Sequence, residues 1–149
     1  MRSGSIQEVA ISDDSKMYKA NDINNLNVKT WLRATDHEIP KSVGIDMVSS
    51  RIFTITQKGL FTVWELNTLD IIYQKHYHKI TKKLQTFRLS KKVMIVFERD
   101  IIVIDTSARP GSNFEEINGY TLTINTITYA TLNHNEKILG VATTTAANP

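Results

Sequence analysis

The sequence contains no cysteine, which excludes disulfides, thiolate metal sites and cysteine nucleophiles. Neither sign of charge is in large excess, because 18 basic and 15 acidic residues leave a net charge of +3. This net charge is too small to indicate a nucleic-acid or membrane partner. The apolar runs are too short for a bilayer-spanning helix, and residues 1–10 lack the apolar stretch of a signal peptide. We therefore expect one domain of 149 residues in the cytoplasm.

β-branched side chains are the abundant class. The chain has 18 Ile, 17 Thr and 9 Val but only eight Ala, the best helix former. Side chains of this kind suit a pleated surface better than a helix. The composition therefore predicts an all-β fold.

Two successive β-meanders are predicted from the pattern of apolar runs and turns. In the first, Ile52–Thr56 and Leu60–Leu66 are strands joined by a turn at Gly59, and a third strand starts at Ile71. In the second, the predicted strands cover Leu84–Leu89, Val93–Phe97 and Ile101–Asp105. Two further strands are predicted near the start of the chain, at Val9–Ser12 and Leu26–Trp31.

Two of these predicted strands are apolar throughout rather than alternating, Val93–Phe97 and Ile101–Ile104. Strands that are covered on both faces read in this way. We expect each of them to lie within a stack, with other elements on both sides. An alternative concerns Lys75–Leu89, where the spacing of apolar residues also fits a helix.

An internal repeat organises these elements. The dipeptides Asp36-His37, Tyr77-His78 and Gly119-Tyr120 each introduce an apolar stretch, and their second members, at positions 37, 78 and 120, are 41 and 42 residues apart. The predicted strands that end at Trp31, Trp64 and Asp105 align in the same way. A period near 40 residues with four short strands per unit is typical of a propeller blade.

The sequence resembles the WD-repeat family in divergent form. That family begins a blade with Gly-His and ends its third strand with Trp-Asp. In this sequence, Asp36-His37, Tyr77-His78 and Gly119-Tyr120 take the place of Gly-His. The place of Trp-Asp is taken by Trp31-Leu32, Trp64-Glu65 and Ile104-Asp105. The resemblance implies four-stranded antiparallel blades of a β-propeller, about three and a half of them in an incomplete ring. The implied units are residues 1–35, 36–76, 77–118 and 119–149, the last one incomplete.

The resemblance also implies structural blade positions. These are His37, His78, Gly119, Tyr120, Trp31, Trp64 and Asp105. The family's histidine is a buried hydrogen-bonding residue, and its tryptophan fills space between blades. We accordingly expect Trp64 to be buried beside Phe53, Ile55 and Val63.

Candidate chemistry is sparse. His76 and His78 lie two apart, a spacing that binds zinc if His37 or Glu65 adds a ligand, but the blade position of His78 favours a structural role. Asp13, Asp14 and Asp46 lack the partners of a cation site or a catalytic acid. We expect no catalytic, cofactor or metal site.

A basic region is the one candidate surface for electrostatic binding. Its lysines are Lys75, Lys79, Lys82, Lys83, Lys91 and Lys92. An alternative function follows from it, in which the chain is a nucleic-acid or anionic-surface binding module. The simpler interpretation is a solvated, lysine-rich surface.

The main interpretation is a non-enzymatic protein-interaction scaffold in a larger assembly. Its expected partners are other protein subunits, including chains that complete the propeller, with no membrane or nucleic acid. The resemblance further implies a cytoskeletal or ciliary setting, because divergent WD-repeat proteins rich in Lys and Asn occur there. An enzyme on another all-β fold is the third hypothesis, but the sequence shows no cluster of titratable groups that supports it. We also expect unpaired strand edges near Val9–Ser12 and Ile138–Thr145.

Overall fold

A computed structural model describes residues 5–10 and 27–33 as backbone, together with residues 39–122 and 125–144. These residues form twelve β-strands, and the described ranges contain no helix. The strands are β1 (Ser5–Ala10), β2 (Asn27–Arg33), β3 (Pro40–Asp46), β4 (Arg51–Thr56), β5 (Leu60–Glu65), β6 (Ile71–His76), β7 (Thr81–Thr86), β8 (Lys92–Phe97), β9 (Asp100–Asp105), β10 (Glu116–Thr121), β11 (Ile127–Leu132) and β12 (Leu139–Thr143).

Eight consecutive strands build two four-stranded antiparallel meanders. The first sheet has the order β3-β4-β5-β6 and the second has β7-β8-β9-β10, so each strand pairs with its neighbours in the chain. Strands β1 and β2 form an antiparallel pair, as do β11 and β12. The expected four-stranded antiparallel units are therefore confirmed.

The main core lies between the two four-stranded sheets. Alternate residues of β4 and β5, namely Phe53, Ile55, Phe61 and Val63, face one side of the second sheet. They pack there with Leu84, Val93, Ile95, Phe97, Ile102, Ile104 and Phe114. Phe53 and Phe61 stack with ring centroids 6.3 Å apart.

A second core covers the other side of the second sheet. Met94, Val96 and Ile101 pack there against Ile127 and Ala130 of β11. All five residues of Val93–Phe97 are consequently buried. The prediction that this strand is covered on both faces is confirmed.

The first strands of the two sheets also meet directly. The Ser42 hydroxyl on β3 donates a hydrogen bond to the Leu84 carbonyl on β7, at 3.2 Å. Gly44 lies so close to β7 that a Cβ atom there would approach the Thr86 Cγ2 to 2.7 Å. This contact fixes how the sheets stack along their inner edge.

The segment from Lys75 to Leu89 is not a helix. It contains the end of β6, a short connection and β7, so the helical alternative is wrong. The predicted strand Leu84–Leu89 begins earlier than expected, at Thr81, because residues from Phe87 onward turn towards β8. Within the described ranges, no helix has the length and apolarity that a membrane span requires.

Candidate functional site

The connections between sheets gather at one end of the molecule. The segment Tyr77–Ile80, called the connection below, leads from the outer strand of the first sheet to the inner strand of the second. It is fixed to the hairpin Gln57–Gly59, because the N–H groups of Tyr77 and Lys79 donate to the carbonyls of Gly59 and Lys58 at 2.9 and 3.1 Å.

The same hydrogen bonds recur one unit later. Gln57 N–H donates to the Ile39 carbonyl and Glu98 N–H donates to the Ile80 carbonyl, which places both donors and both acceptors 41 positions apart. The carbonyls of Gln57 and Glu98 in turn accept from Thr81 and Ile127, the first residues of the following sheets. The end is therefore a rigid framework that repeats with the sequence period.

Two backbone features allow the connection to lie this close to the hairpin. Gly59 has a φ of 98°, and a Cβ atom there would be 2.9 Å from the Lys79 carbonyl oxygen. His78 has a φ of 54°, and its N–H donates to the His76 Nδ1 at 3.0 Å. The two imidazole rings stack with centroids 4.0 Å apart.

Two clefts open on either side of the connection. One, of about 340 Å³, is lined by Lys58, His76, His78, Lys79 and Ile80. The other, of about 460 Å³, adds the hairpin around Arg99 and an apolar floor that includes Phe97 and Leu122. Because Ile80 is 46% exposed and lines both clefts, we treat them as one surface, called the connection groove.

A polar triad anchors the outer side of the connection. The Tyr77 hydroxyl donates to Glu116 Oε1 at 2.8 Å, and the Lys75 ammonium donates to the same oxygen at 2.9 Å. The hydrogen bond from Lys75 lowers the pKa of Glu116, although partial burial of the carboxylate opposes this. Burial raises the pKa of Tyr77, and Glu116 adds to that effect, so the phenol remains a hydrogen-bond donor.

The groove itself carries mixed charge. Lys79 forms an ion pair with Asp100 and lies 5.4 Å from the Phe97 ring centroid. Glu98, Arg99 and Asp100 line the second cleft, whereas two lysines, two histidines and Ile80 line the first. The fixed backbone, the apolar floor and the exposed charges offer an extended segment both apolar and polar contacts.

The described residues contain no group of three or more His, Asp or Glu that is arranged to hold a metal ion. The zinc set considered from the sequence is not assembled by them either. Glu65 ends β5 at the opposite end of the sheet from His76, and His37 lies outside the described residues.

The predicted blade positions fall in different environments. His78 is exposed at its turn, which differs from the buried histidine that the resemblance implies. Gly119 and Tyr120 lie within β10 rather than in a connection between sheets, so they are not equivalent to Tyr77 and His78. The cause is the loop of residues 106–115, which is longer than the loop of residues 66–70 in the first sheet.

Trp64 was expected in the core and is only half-buried. Val63 points into the core, and neighbouring residues of a strand point to opposite faces. Trp64 therefore lies on the other face, where its indole N–H donates to the Thr54 hydroxyl at 3.0 Å. The prediction that Trp64 packs beside Phe53 and Ile55 is wrong.

The remaining blade positions are Asp105, Trp31 and His37. Asp105 ends β9, as Glu65 ends β5, and its carboxylate accepts the N–H of Ser107 at 2.8 Å. Trp31 belongs to β2, of which the structure describes the backbone. The proposed unit boundaries remain a prediction.

The six lysines of the basic region do not share one face. Lys75 and Lys79 lie at the connection end and are both ion-paired. Lys82 and Lys83 lie on β7, where the Lys83 ammonium is 5.1 Å from the Tyr129 ring centroid. Lys91 and Lys92 lie at the opposite end, at the start of β8. Any binding by this region as one electrostatic surface remains a prediction.

Of the residues that line the groove, the sequence indicated only His76, His78 and Lys79 as candidates. The other eight are Lys58, Ile80, Phe97, Glu98, Arg99, Asp100, Thr121 and Leu122. The sequence did contain one signal for Lys58, because it precedes the turn glycine Gly59. Nothing in the sequence indicated that the hairpins and the connection meet.

Comparison with solved structures shows the fold. The chain is similar to a chain of the Mitotic Checkpoint Complex, with a TM-score of 0.63 and 15% identity, over 78% of this chain and 39% of that one. It is also similar to the Cps50 (Swd1) β-propeller domain from Myceliophteria thermophila, with a TM-score of 0.67 and 10% identity, over 79% of this chain and 42% of that domain.

The chain thus spans about two fifths of the solved structures that it matches. No protein-family model and no curated protein matches the sequence. Because the second neighbour is a β-propeller domain, the expected all-β fold of a partial β-propeller with four-stranded sheets is confirmed.

Proposed function

We propose that this chain is a non-enzymatic protein-interaction scaffold, and that it binds a partner segment in the connection groove. The observation that carries the proposal is the exposed Ile80 side chain, which lies between two clefts on a backbone fixed by hydrogen bonds from both hairpins. A rigid framework loses little entropy when it binds, and an apolar centre with a polar rim is typical of protein interfaces.

The two solved neighbours are in keeping with this proposal. One is part of a complex, the Mitotic Checkpoint Complex, and the other is a β-propeller domain. Fold alone does not assign function. The groove supplies the specific surface that the proposal needs.

Paired variants test the groove directly. Ile80→Ser removes the apolar centre of the groove, whereas Ile117→Ser removes an apolar side chain of similar exposure from β10. Partners captured by the wild-type chain would be purified and their affinities measured by isothermal titration calorimetry. We expect Ile80→Ser to weaken binding at least tenfold and Ile117→Ser to leave it unchanged. Equal affinities for all three chains would refute the groove as the binding site.

Salt dependence separates this function from nucleic-acid or anionic-surface binding. Binding through phosphates weakens steeply with salt, because counterions are released, whereas an interface with an apolar centre weakens much less. We expect less than a tenfold change between 50 and about 200 mM salt. A loss of about 10³-fold or more would favour the alternative function.

A cytoskeletal or ciliary setting in the cytoplasm also belongs to this proposal. Its support is the resemblance of the Lys- and Asn-rich sequence to divergent WD-repeat proteins. Imaging of a fluorescently tagged chain tests it. Filament or ciliary labelling is the expected result, and exclusive labelling of another compartment would count against it.

A further inference from the structure

The most exposed large apolar side chains lie at the end opposite the connection groove. Among the described residues they are Val48 at 85%, Met47 at 71%, Ile138 at 66% and Leu89 at 65%. All four belong to the turns that join the first and second strands of successive sheets, β3–β4, β7–β8 and β11–β12. Single exposed apolar residues are ordinary, but four at equivalent turns form a pattern.

The fold does not require apolar residues at these turns. In the first turn, the Asp46 carboxylate accepts the Val48 N–H at 3.0 Å and the Ser49 hydroxyl at 2.7 Å. In the third, the Asn133 side-chain oxygen accepts the Ile138 N–H at 2.9 Å. Asp, Asn and Ser are the residues that stabilise turns, so the exposed apolar side chains add nothing to the turns themselves.

The turns are adjacent and form one surface. The second and third touch where Leu89 N–H donates to the Glu136 carboxylate at 2.6 Å and the Arg88 guanidinium donates to the His134 carbonyl at 3.0 Å. The first and second are linked through Thr106, whose carbonyl accepts from Arg51 and whose N–H donates to the Lys91 carbonyl. We call Met47, Val48, Leu89 and Ile138 together the turn-tip surface.

Positive charge surrounds the turn-tip surface. Arg88, Lys91 and Lys137 are exposed on its turns, and within the described part of the chain none of them forms an ion pair. The two carboxylates of these turns, Asp46 and Glu136, are already occupied by hydrogen bonds from the turns. Arg88 uses one N–H for the His134 carbonyl and Lys91 lies near enough to Asp105 to lower its pKa, but all three cations keep further N–H donors for an acidic ligand.

We propose that the turn-tip surface binds an acidic amphipathic segment of another protein, at a second site distinct from the connection groove. Apolar side chains of the segment cover the turn tips, and its carboxylates pair with Arg88, Lys91 and Lys137. A protein segment fits better than an anionic lipid surface, because the Asp46 and Glu136 carboxylates belong to the same turns and repel a continuous layer of negative charge. A segment places its carboxylates opposite the cations alone.

Selection from a displayed library of random 16-residue peptides tests the proposal. The wild-type chain is the target, and the selected peptides are then titrated against variants. We expect enriched peptides that combine Asp or Glu with Leu, Ile or Phe. Their affinity should fall at least tenfold for Val48→Ser/Leu89→Ser and for Lys91→Glu/Lys137→Glu. It should not change for the control Ile71→Ser/Ile117→Ser, which removes two exposed apolar side chains elsewhere.

Three outcomes would overturn the proposal. In the first, the library yields no binder that depends on Val48 and Leu89. In the second, its binders lack acidic residues. In the third, the wild-type chain sediments with phosphatidylserine vesicles and the variant Val48→Ser/Leu89→Ser does not. Ile80→Ser is included to separate the two sites. Peptides that lose affinity only with Ile80→Ser belong to the connection groove and count against the turn-tip surface while supporting the scaffold function.

Discussion

At the scale of single residues, the acid that ends the third strand of each sheet caps the turn that follows. Glu65 accepts the N–H groups of Asn67 and Thr68, both at 2.7 Å, and Asp105 accepts the N–H and hydroxyl of Ser107. These hydrogen bonds lower the pKa of both carboxylates, the Thr68 N–H having the largest effect on Glu65 and the Ser107 side chain on Asp105. The acid at this position therefore caps the turn both where Trp64 precedes it and where Ile104 does.

The lowered pKa of Asp105 makes part of the stability depend on pH. Because its pKa is lower in the folded than in the unfolded chain, its contribution is present above about pH 4 and is lost as the pH falls through the folded value. We expect the acid-induced loss of unfolding free energy to be smaller in Asp105→Asn than in wild type. Urea unfolding at pH 7 and pH 3 measures this. The exposed Asp70→Asn is the control, and identical pH profiles for Asp105→Asn and wild type would contradict the assignment.

The different burial of two aromatic residues on β5 predicts different losses of stability when each is replaced by alanine. Phe61 is fully buried, whereas Trp64 is half-buried on the opposite face of the same strand. Phe61→Ala should cost about 3–5 kcal/mol of unfolding free energy, the usual value for a buried aromatic residue. Trp64→Ala should cost clearly less. Urea unfolding of both variants decides, and a larger loss for Trp64→Ala would mean that the strand faces are reversed.

At the scale of elements, the sequence predicts hairpins well where a turn residue separates two apolar runs. The predicted bounds of four strands agree with the observed bounds to within one residue at each end; these strands are β4, β5, β8 and β9. Turn residues and β-branched runs predict the same elements there. The predicted position of β7 differs from the observed one by three residues, because the sequence of β7, TKKLQT, is polar and the spacing of apolar residues around it also fits a helix. Only pairing with β8 and contact with β3 define it as a strand.

The position of Gly119 and Tyr120 could not be predicted for a different reason. The sequence period was counted from dipeptides, whereas the structure shows that the loop preceding β10 has lengthened. A count of residues cannot distinguish an inserted loop from a new unit. The hydrogen bonds at the connection end give the true equivalence.

The approach of the connection to its hairpin depends on Gly59. Its φ of 98° and the nearby Lys79 carbonyl leave no room for a Cβ atom, whereas Gly111 has a φ of 84° with open space around it. Gly59→Ala should therefore destabilise the chain more than Gly111→Ala, by about 1 kcal/mol or more beyond the shared cost of positive φ. Thermal and urea unfolding of both variants measure the difference. Equal losses would show that the hairpin and connection are not in contact.

At the scale of the whole molecule, the described residues leave β12 paired on one side only, with β11. An unpaired strand edge attracts other strands, and a charged residue on it prevents this. We expect the 149-residue polypeptide to self-associate and Ala142→Lys on β12 to reduce the association. Asn113→Lys in the exposed loop of residues 106–115 is the charge-matched control. Sedimentation at tens of micromolar measures the mass, and a wild-type monomer would contradict the prediction.

Both proposed binding surfaces are formed by segments that are distant in the chain and meet only in the folded molecule. The connection groove combines two hairpins and a connection that are about 20 residues apart in the chain, and the turn-tip surface combines turns that are about 40 to 50 residues apart. The sequence identified Lys79, His78 and the recurring turns, but not which of them meet. Stacking of the sheets determines that, and it depends on close packing that no local pattern encodes.

Consecutive four-stranded sheets stack with their first strands in contact, and one cross-link tests this arrangement most directly. A Cβ atom on Gly44 would lie 3.8 Å from the Thr86 Cβ, which matches the spacing of a disulfide. Because the chain has no cysteine, Gly44→Cys/Thr86→Cys introduces a unique pair. Under mild oxidation we expect a quantitative intramolecular disulfide, identified by mass spectrometry, and none in the control Gly44→Cys/Gly119→Cys, whose residues lie on opposite edges of the two sheets. A double variant that stays reduced, or cross-links only between molecules, would show that β3 and β7 are not in contact.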